Sequence, residues 1–99
     1  MEHFENEGLR LLVKSILTLK TEEECAEFLE DLMTRKELDD ISQRLLVAKM
    51  LSEQAVYSKI VEATGASTAT ISRVNRAYHY GRGAYLKILS RVNEENPKK

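Results

Sequence analysis

Apolar residues recur along the chain at the spacing that places them on one face of an α-helix. In the first segment, from about Glu5 to Leu19, that face carries Leu9, Leu12, Val13, Ile16 and Leu17. No segment alternates apolar and polar residues as a half-buried strand does, and only four glycines and one proline interrupt the pattern. The pattern therefore predicts an all-α chain.

The next two apolar segments each follow a capping box, in which a threonine and a glutamate satisfy the first free N–H groups of a helix. Thr21 and Glu24 begin a second helix, and Thr34 and Glu37 begin a third. The second helix is expected to bury Cys25, Phe28, Leu29, Leu32 and Met33. The third is expected to bury Leu38, Ile41, Leu45, Leu46, Val47, Ala48, Met50 and Leu51.

The third helix is apolar around most of its circumference, so it has to be covered from several sides. We therefore expect it to be the central helix of the fold. A domain of 99 residues buries only a limited fraction of its surface. The economical arrangement is a homodimer in which the N-terminal helices of two chains cover each other.

Residues 57–76 combine the features of a helix-turn-helix, with short helices expected at about Ala55–Ala63 and Thr68–Tyr78. Gly65 lies where the chain has to turn, because glycine takes a positive φ without strain. The small side chain of Ala66 lets the two helices approach each other closely. The side chains expected to hold them together are Ile60, Val61, Ile71 and Val74.

The second short helix is expected to begin at Ser67, whose hydroxyl can accept the N–H of Ala69 or Thr70. The six positions from Ser67 to Ser72 hold four hydroxyls and no acid, which leaves the helix N-terminus free for a phosphate. Guanidinium groups follow further along, as is typical of a helix that enters the major groove of duplex DNA. The expected DNA-contacting residues are Lys59, Ser67, Thr68, Ala69, Thr70, Ser72, Arg73 and Arg76.

The segment Gly81–Gly83 is expected to end this helix, and a last helix is expected from about Ala84 to Asn93. Its inward-facing residues are expected to be Tyr85, Leu86, Leu89 and Val92. The side chains expected to pack this helix against the motif, with stacking on bases as the alternative, are Tyr78, Tyr80 and Tyr85. Arg82 either contacts a phosphate or is solvated.

The charge of the chain is unevenly distributed, although the net charge is only −1. Residues 1–51 carry −5, residues 52–99 carry +4, and no acid lies between Glu62 and Glu94. This asymmetry indicates that one face meets a polyanion, and a chance asymmetry is the alternative.

Several classes of protein are disfavoured by the sequence. No run of about 18 apolar residues predicts a membrane helix, and the acidic N-terminus does not resemble a signal peptide. Cys25 is the only cysteine, which fits a reducing cytoplasm. No metal-ligand spacing or catalytic arrangement is present, so we do not expect an enzyme. We expect one domain, with core and dimerisation helices in residues 1–51, the helix-turn-helix in 52–80 and the last helix in 81–95.

The string from Thr64 to Arg73 resembles the Gly-Ala-x-x-Ala-Thr-Ile-(Thr/Ser)-Arg signature of the tryptophan operon repressor family. From Ile71 to Tyr85 the chain is most similar to the YerC/YecD branch of Trp-repressor-related proteins, and the resemblance covers about residues 33–90. It implies a bacterial, six-helix, intertwined homodimer that binds an operator in double-stranded DNA and represses transcription. The residues that it places against the DNA are Thr68, Ala69, Thr70 and Ser72.

The residues that bind the corepressor in that family are matched only in part. The resemblance implies two arginines that sandwich an indole ring, of which Arg73 matches one. Arg44 matches the other only if one residue is deleted between Arg44 and Gly65. Val74 replaces a glycine of that family. Its branched side chain is expected to project into the space that the indole ring would occupy, and such overpacking costs about 1–3 kcal/mol or more. We therefore expect no cofactor and no L-tryptophan.

Three functions stay open at this point. The leading one is a dimeric transcriptional regulator that binds DNA without a ligand. The second is a regulator of the same fold that is controlled by a small ligand held near Arg44, Arg73 and Val74. The third is a helical protein-interaction module that does not recognise an operator.

Overall fold

The computed structural model describes residues 6–95, and that part of the chain contains six α-helices and no strand. The helices are α1 (Glu7–Leu17), α2 (Glu22–Leu32), α3 (Arg35–Ser52), α4 (Tyr57–Thr64), α5 (Thr68–Tyr80) and α6 (Ala84–Glu95). The prediction of an all-α chain is confirmed. The predicted start of the first helix at Glu5 lies outside the described residues. No helix in the described part is long and apolar enough to cross a membrane.

The predicted capping box of α3 is confirmed in full, whereas in that of α2 the cap by Thr21 is confirmed and Glu24 accepts the N–H of Lys20, the residue before the cap, instead of that of Thr21. The hydroxyl of Thr21 accepts the N–H of Glu24 at 3.0 Å, and the carboxylate of Glu24 accepts the N–H of Lys20 at 2.8 Å. At the start of α3, Thr34 accepts the N–H of Glu37 at 3.1 Å, and Glu37 accepts the N–H of Thr34 at 2.9 Å. These pairs are local, which explains why four residues of sequence are enough to predict each cap.

The chain divides into two compact units, Met1–Leu38 and Asp39–Lys99. In the first unit, α1 and α2 contain no buried residue. Cys25, Phe28 and Leu29 are half-buried, but other side chains predicted to be in the core are exposed: Leu9 by 38%, Ile16 by 45%, Leu17 by 78% and Leu32 by 49%. The periodicity therefore identified the apolar faces correctly, but the single chain leaves them partly uncovered.

The second unit contains a core that joins α3, α4 and α5. Its six buried residues, each at most 2% exposed, are Val47, Ala48, Ile60, Ala66, Ile71 and Val74. The predicted burial of Ile60, Ile71 and Val74 is confirmed. The prediction for Val61 is wrong, because the next position of a helix is turned by about 100° and leaves this side chain 36% exposed. Around this core lie the partly buried side chains of Met50, Leu51, Ala55, Tyr85 and Leu89.

Two other predicted faces are less covered than expected. In α3, only Val47 and Ala48 are buried, whereas Ile41, Leu45 and Leu46 are 40–45% exposed. In α6, Tyr85 and Leu89 pack against the core, but Leu86 and Val92 are exposed by 58% and 49%. The single chain thus leaves parts of both faces uncovered, and the cover of α3 by a second chain stays a prediction.

The end of α5 at Gly81 is confirmed. The N–H of Gly81 donates to the carbonyl of Ala77 at 2.9 Å, and a Cβ atom at this position would collide with that same carbonyl oxygen. The helix therefore ends where only glycine lets the backbone approach so closely. The exposed Arg82 lies in the three-residue connection, 81–83, between α5 and α6.

Candidate nucleic-acid interface

The connection between α4 and α5 has the backbone conformation that the sequence predicts. Gly65 adopts φ 74° and ψ 4°, in the left-handed region, and its N–H donates to the carbonyl of Val61 at 2.9 Å. No atom lies within 4 Å of a Cβ built on Gly65. Glycine is therefore required here by the positive φ and not by lack of space. The buried Ala66 follows directly, as expected for a close approach of two helices.

Side-chain hydrogen bonds fix this turn in addition to the backbone. The hydroxyl of Thr64 donates to the carbonyl of Ile60 at 2.7 Å and accepts the N–H of Ala66 at 3.1 Å. The side-chain amide of Gln43, on α3, donates to the carbonyl of Thr64 at 3.2 Å. No sequence pattern indicates the Gln43 contact, because its two partners are 21 residues apart. It joins the core helix α3 directly to the turn.

The first turn of α5 begins as predicted at Ser67. Its hydroxyl accepts the N–H of Thr70 at 3.1 Å, which is one of the two partners expected for this cap. The same hydroxyl group lies 3.1 Å from the hydroxyl of the half-buried Thr70. Both hydroxyls therefore have partners within the protein, and their first role is to hold the start of α5. No acid is present in the first turn of this helix.

The residues that remain on the outer side of α5 form a surface that we call the recognition surface: Thr68, Ala69, Ser72, Arg73 and Arg76. All five are exposed, and the spacing of three and four residues places most of them on one side of the helix. The predicted Lys59 is also exposed, on α4. Ile71 and Val74, on the opposite side, anchor α5 in the core.

The guanidinium groups of the recognition surface are available for an external anion. Neither Arg73 nor Arg76 forms an ion pair with a described residue, whereas Lys49 pairs with Glu53 at 2.8 Å. Ser72, Arg73 and Arg76 line a cavity of about 410 Å³. An arginine carries five N–H donors in a planar arrangement that matches a phosphate or the edge of guanine. The surface thus offers charge and directed hydrogen bonds together.

A second cavity, of about 480 Å³, lies beside the first. It is lined by Tyr57, Ser72, Asn75, Arg76 and Tyr80, and we call it the Tyr57–Tyr80 groove. The sequence did not indicate that Tyr57 and Asn75 belong to this region. Tyr80 was expected to pack α6 against the motif, but its side chain is 85% exposed, so that prediction is wrong for Tyr80. The half-buried Tyr78 and Tyr85 lie in less exposed positions.

The residues considered for a ligand pocket lie in different environments. Arg44 on α3 and Arg73 on α5 are exposed. Val74 is 2% exposed and packs in the core with Ile60 and Ile71. Within residues 6–95, no group of three or more His, Cys, Asp or Glu side chains is arranged to hold a metal ion.

Comparisons with known proteins agree with this architecture. The family model of the Trp repressor protein matches residues 7–93. A protein designated YerC from Bacillus subtilis (strain 168) is 54% identical over 83 residues, which make up 84% of this chain and 80% of YerC.

Two solved structures superpose on almost the whole chain. A TrpR-like protein from Eubacterium eligens ATCC 27750 gives a TM-score of 0.87 at 43% identity, covering 93% of this chain and 95% of that one. A putative Trp repressor from Staphylococcus aureus gives a TM-score of 0.87 at 47% identity, covering 93% of this chain and 92% of that one. The six helices, the helix-turn-helix core and these matches together show that the chain belongs to the Trp repressor family.

Proposed function

We propose that this protein is a transcriptional regulator that binds a specific operator in double-stranded DNA as a homodimer. The observation that carries the proposal is the recognition surface of α5, which is exposed, free of acid and held by a buried core on its opposite side. A helix presented in this way can enter the major groove with its N-terminal end. Membership of the Trp repressor family, a family of helical DNA-binding regulators, supports the same function.

Apolar side chains that the single chain leaves uncovered support the proposed homodimer. Leu11 and Leu17 of α1 are exposed by 66% and 78%, and Leu45 of α3 is exposed by 45%. Large apolar side chains that each unit leaves exposed are the kind of surface that a second chain covers. A twofold dimer places two copies of α5 about one DNA turn, roughly 34 Å, apart, so that the operator is an inverted repeat.

The proposed regulator needs no L-tryptophan. A flat ring against α5 at residue 74 would require the volume that the isopropyl group of Val74 fills in the core, where it is 2% exposed. Displacing or compressing a close-packed side chain costs about 1–3 kcal/mol. The residues present therefore do not suit an indole at this position, and we propose that DNA binding is independent of a corepressor. Such a regulator acts in the cytoplasm, where the bacterial chromosome lies.

The first test is selection of bound duplexes from a random-sequence pool by the purified protein, at near-physiological salt and without added ligand. An enriched inverted repeat with half-sites about one turn apart is the expected result. No enrichment without ligand, followed by enrichment when amino acids or a cell extract are added, would show control by a ligand instead. No enrichment under either condition would indicate a protein-interaction module.

The recognition surface is tested separately by Arg73→Ala. We expect this variant to bind the selected duplex about tenfold or more weakly, because a charge-assisted hydrogen bond is lost. The melting temperature should stay within about 2 °C of the wild type, because the side chain of Arg73 is exposed and forms no described ion pair. Unchanged affinity would show that Arg73 lies outside the interface.

A further inference from the structure

The Tyr57–Tyr80 groove combines several hydrogen-bond donors around one cavity. Its lining residues carry a guanidinium (Arg76), an amide (Asn75) and the hydroxyls of Tyr57, Ser72 and Tyr80. No carboxylate lines the cavity, and Arg76 forms no ion pair with a described residue. A site with one fixed positive charge, surrounding neutral donors and no negative charge suits a singly charged oxyanion.

The position of the groove indicates where that anion comes from. The groove shares Ser72 and Arg76 with the cavity that Ser72, Arg73 and Arg76 line on the recognition surface. A duplex seated on the recognition surface would therefore bring its backbone next to the groove. Each phosphodiester carries one negative charge and two free oxygens, which matches the donors of Arg76 and of the neighbouring hydroxyls.

We propose that the Tyr57–Tyr80 groove binds one phosphodiester of the DNA backbone in each half-site. The inference rests on the proposed function and adds to it the residues Tyr57, Asn75 and Tyr80, which lie outside the recognition surface. A contact of this kind carries no base information, but it fixes the register of α5 along the duplex. Tyr57 belongs to α4 and the other residues belong to α5, so the held phosphate connects both helices of the motif to the DNA.

The decisive experiment uses the full chain and the duplex obtained by selection. Each phosphate of one half-site is replaced singly by an uncharged methylphosphonate, and affinity is measured by fluorescence anisotropy. For the wild type we expect a loss of about tenfold or more at the phosphate held by the groove. In Arg76→Met the same replacement should cost less than about twofold, because the contact that it removes is already absent.

Matched variants separate the groove from general loss of charge. Arg91→Met removes the same charge from an exposed position on α6 that does not line the groove. It should keep the full sensitivity of the wild type to the methylphosphonate. Tyr57→Phe removes only a hydroxyl, and we expect it to reduce that sensitivity by about two- to fivefold. Because this variant keeps the aromatic ring, it tests the proposal even if Arg76→Met fails to fold.

The outcomes distinguish this proposal from the one on which it rests. If the wild type binds the duplex but Arg76→Met and Tyr57→Phe keep every sensitivity of the wild type, the groove assignment is wrong and the proposed function stands. If the wild type binds no duplex, both are wrong. Titration with inorganic phosphate and thymidine 5′-monophosphate is followed by NMR of the Asn75 side-chain amide. The phosphodiester assignment would be overturned if either compound gave a saturable change in the chemical shift of this amide while no methylphosphonate replacement weakened DNA binding. The groove would then bind a free phosphate.

Discussion

The helix-turn-helix and the two N-terminal helices differ in how completely the single chain buries their apolar side chains. The helix-turn-helix rests on a core of six side chains that are at most 2% exposed, and side-chain hydrogen bonds fix its turn. By contrast, α1 and α2 have well-formed caps but no buried residue. The difference shows that a capped amphipathic helix can be complete as local structure while its apolar face still lacks a partner. The helix-turn-helix has a buried core of its own, and the N-terminal helices have apolar side chains that the single chain leaves exposed.

The largest expected effect tests the core of the helix-turn-helix. Ile71→Ala removes a fully buried side chain from between α3, α4 and α5. We expect the free energy of unfolding, measured by urea denaturation, to fall by about 2–5 kcal/mol, because both transfer energy and a cavity contribute. A loss below about 1 kcal/mol would contradict the view that this region supports itself.

A somewhat smaller effect, on the stability of the dimer, is expected when an exposed apolar side chain of α1 is changed. Leu17→Ser alters a side chain that is 78% exposed in the single chain. If a partner chain covers this face, each protomer loses about 1.5–3 kcal/mol of burial, and the dimer should dissociate at a higher concentration. Sedimentation equilibrium measures this shift, with Glu27→Ser as the control, because Glu27 is exposed on the side of α2 opposite its half-buried apolar residues. Equal dissociation constants for wild type and Leu17→Ser would remove this face from the dimer interface.

Gly65→Val tests the turn between α4 and α5. We expect this substitution to lower the free energy of unfolding by about 1–3 kcal/mol. A β-branched residue is strained at φ 74°, although there is open space around the Cβ position. Thermal unfolding measures the loss, and Gly65→Asn is the control because asparagine tolerates the left-handed region better. A normal melting temperature for Gly65→Val would mean that the turn does not adopt this conformation in solution.

The smallest expected effect on stability concerns the contact between α3 and the turn. Gln43→Ala removes the hydrogen bond to the carbonyl of Thr64 and should cost about 0.5–1.5 kcal/mol. Its effect on DNA binding should exceed its effect on stability, because α5 would be held less firmly. Selection of duplexes with this variant should therefore give a less sharply defined half-site than the wild type. An identical set of selected sequences would show that the hydrogen bond is dispensable for recognition.

Features that depend on a few adjacent residues could be predicted from the sequence. The caps at Thr21, Thr34 and Ser67 and the positive φ of Gly65 are of this kind, and all four are confirmed. Each follows from the chemistry of one short segment, in which the donor, the acceptor or the φ angle is fixed by residues no more than four positions apart. The buried side of α5 could be predicted for the same reason, since Ile71 and Val74 follow the helical period.

Features that depend on what lies opposite a residue in space could not be predicted. The periodicity identified an apolar face that includes Leu86 and Val92, but it could not show that this face is largely uncovered in the single chain. The hydrogen bond from Gln43 and the grouping of Tyr57 with Asn75 join residues that are about 20 positions apart. No local pattern marks such pairs, and only the folded chain brings them together.

The hydrogen bond between Gln43 and Thr64 lies next to the first turn of α5, where a small change of angle moves the far end of the helix by a larger distance. With 13 residues, α5 is about 20 Å long at about 1.5 Å per residue. A tilt of about 10° at its first turn would move its far end by about 3.5 Å, which is close to the rise of one base pair along B-DNA. A small angular tolerance at the turn thus becomes an error of one base pair at the end of the helix. The contacts around Thr64, together with the buried Ile71 and Val74, therefore limit the tilt of the whole helix.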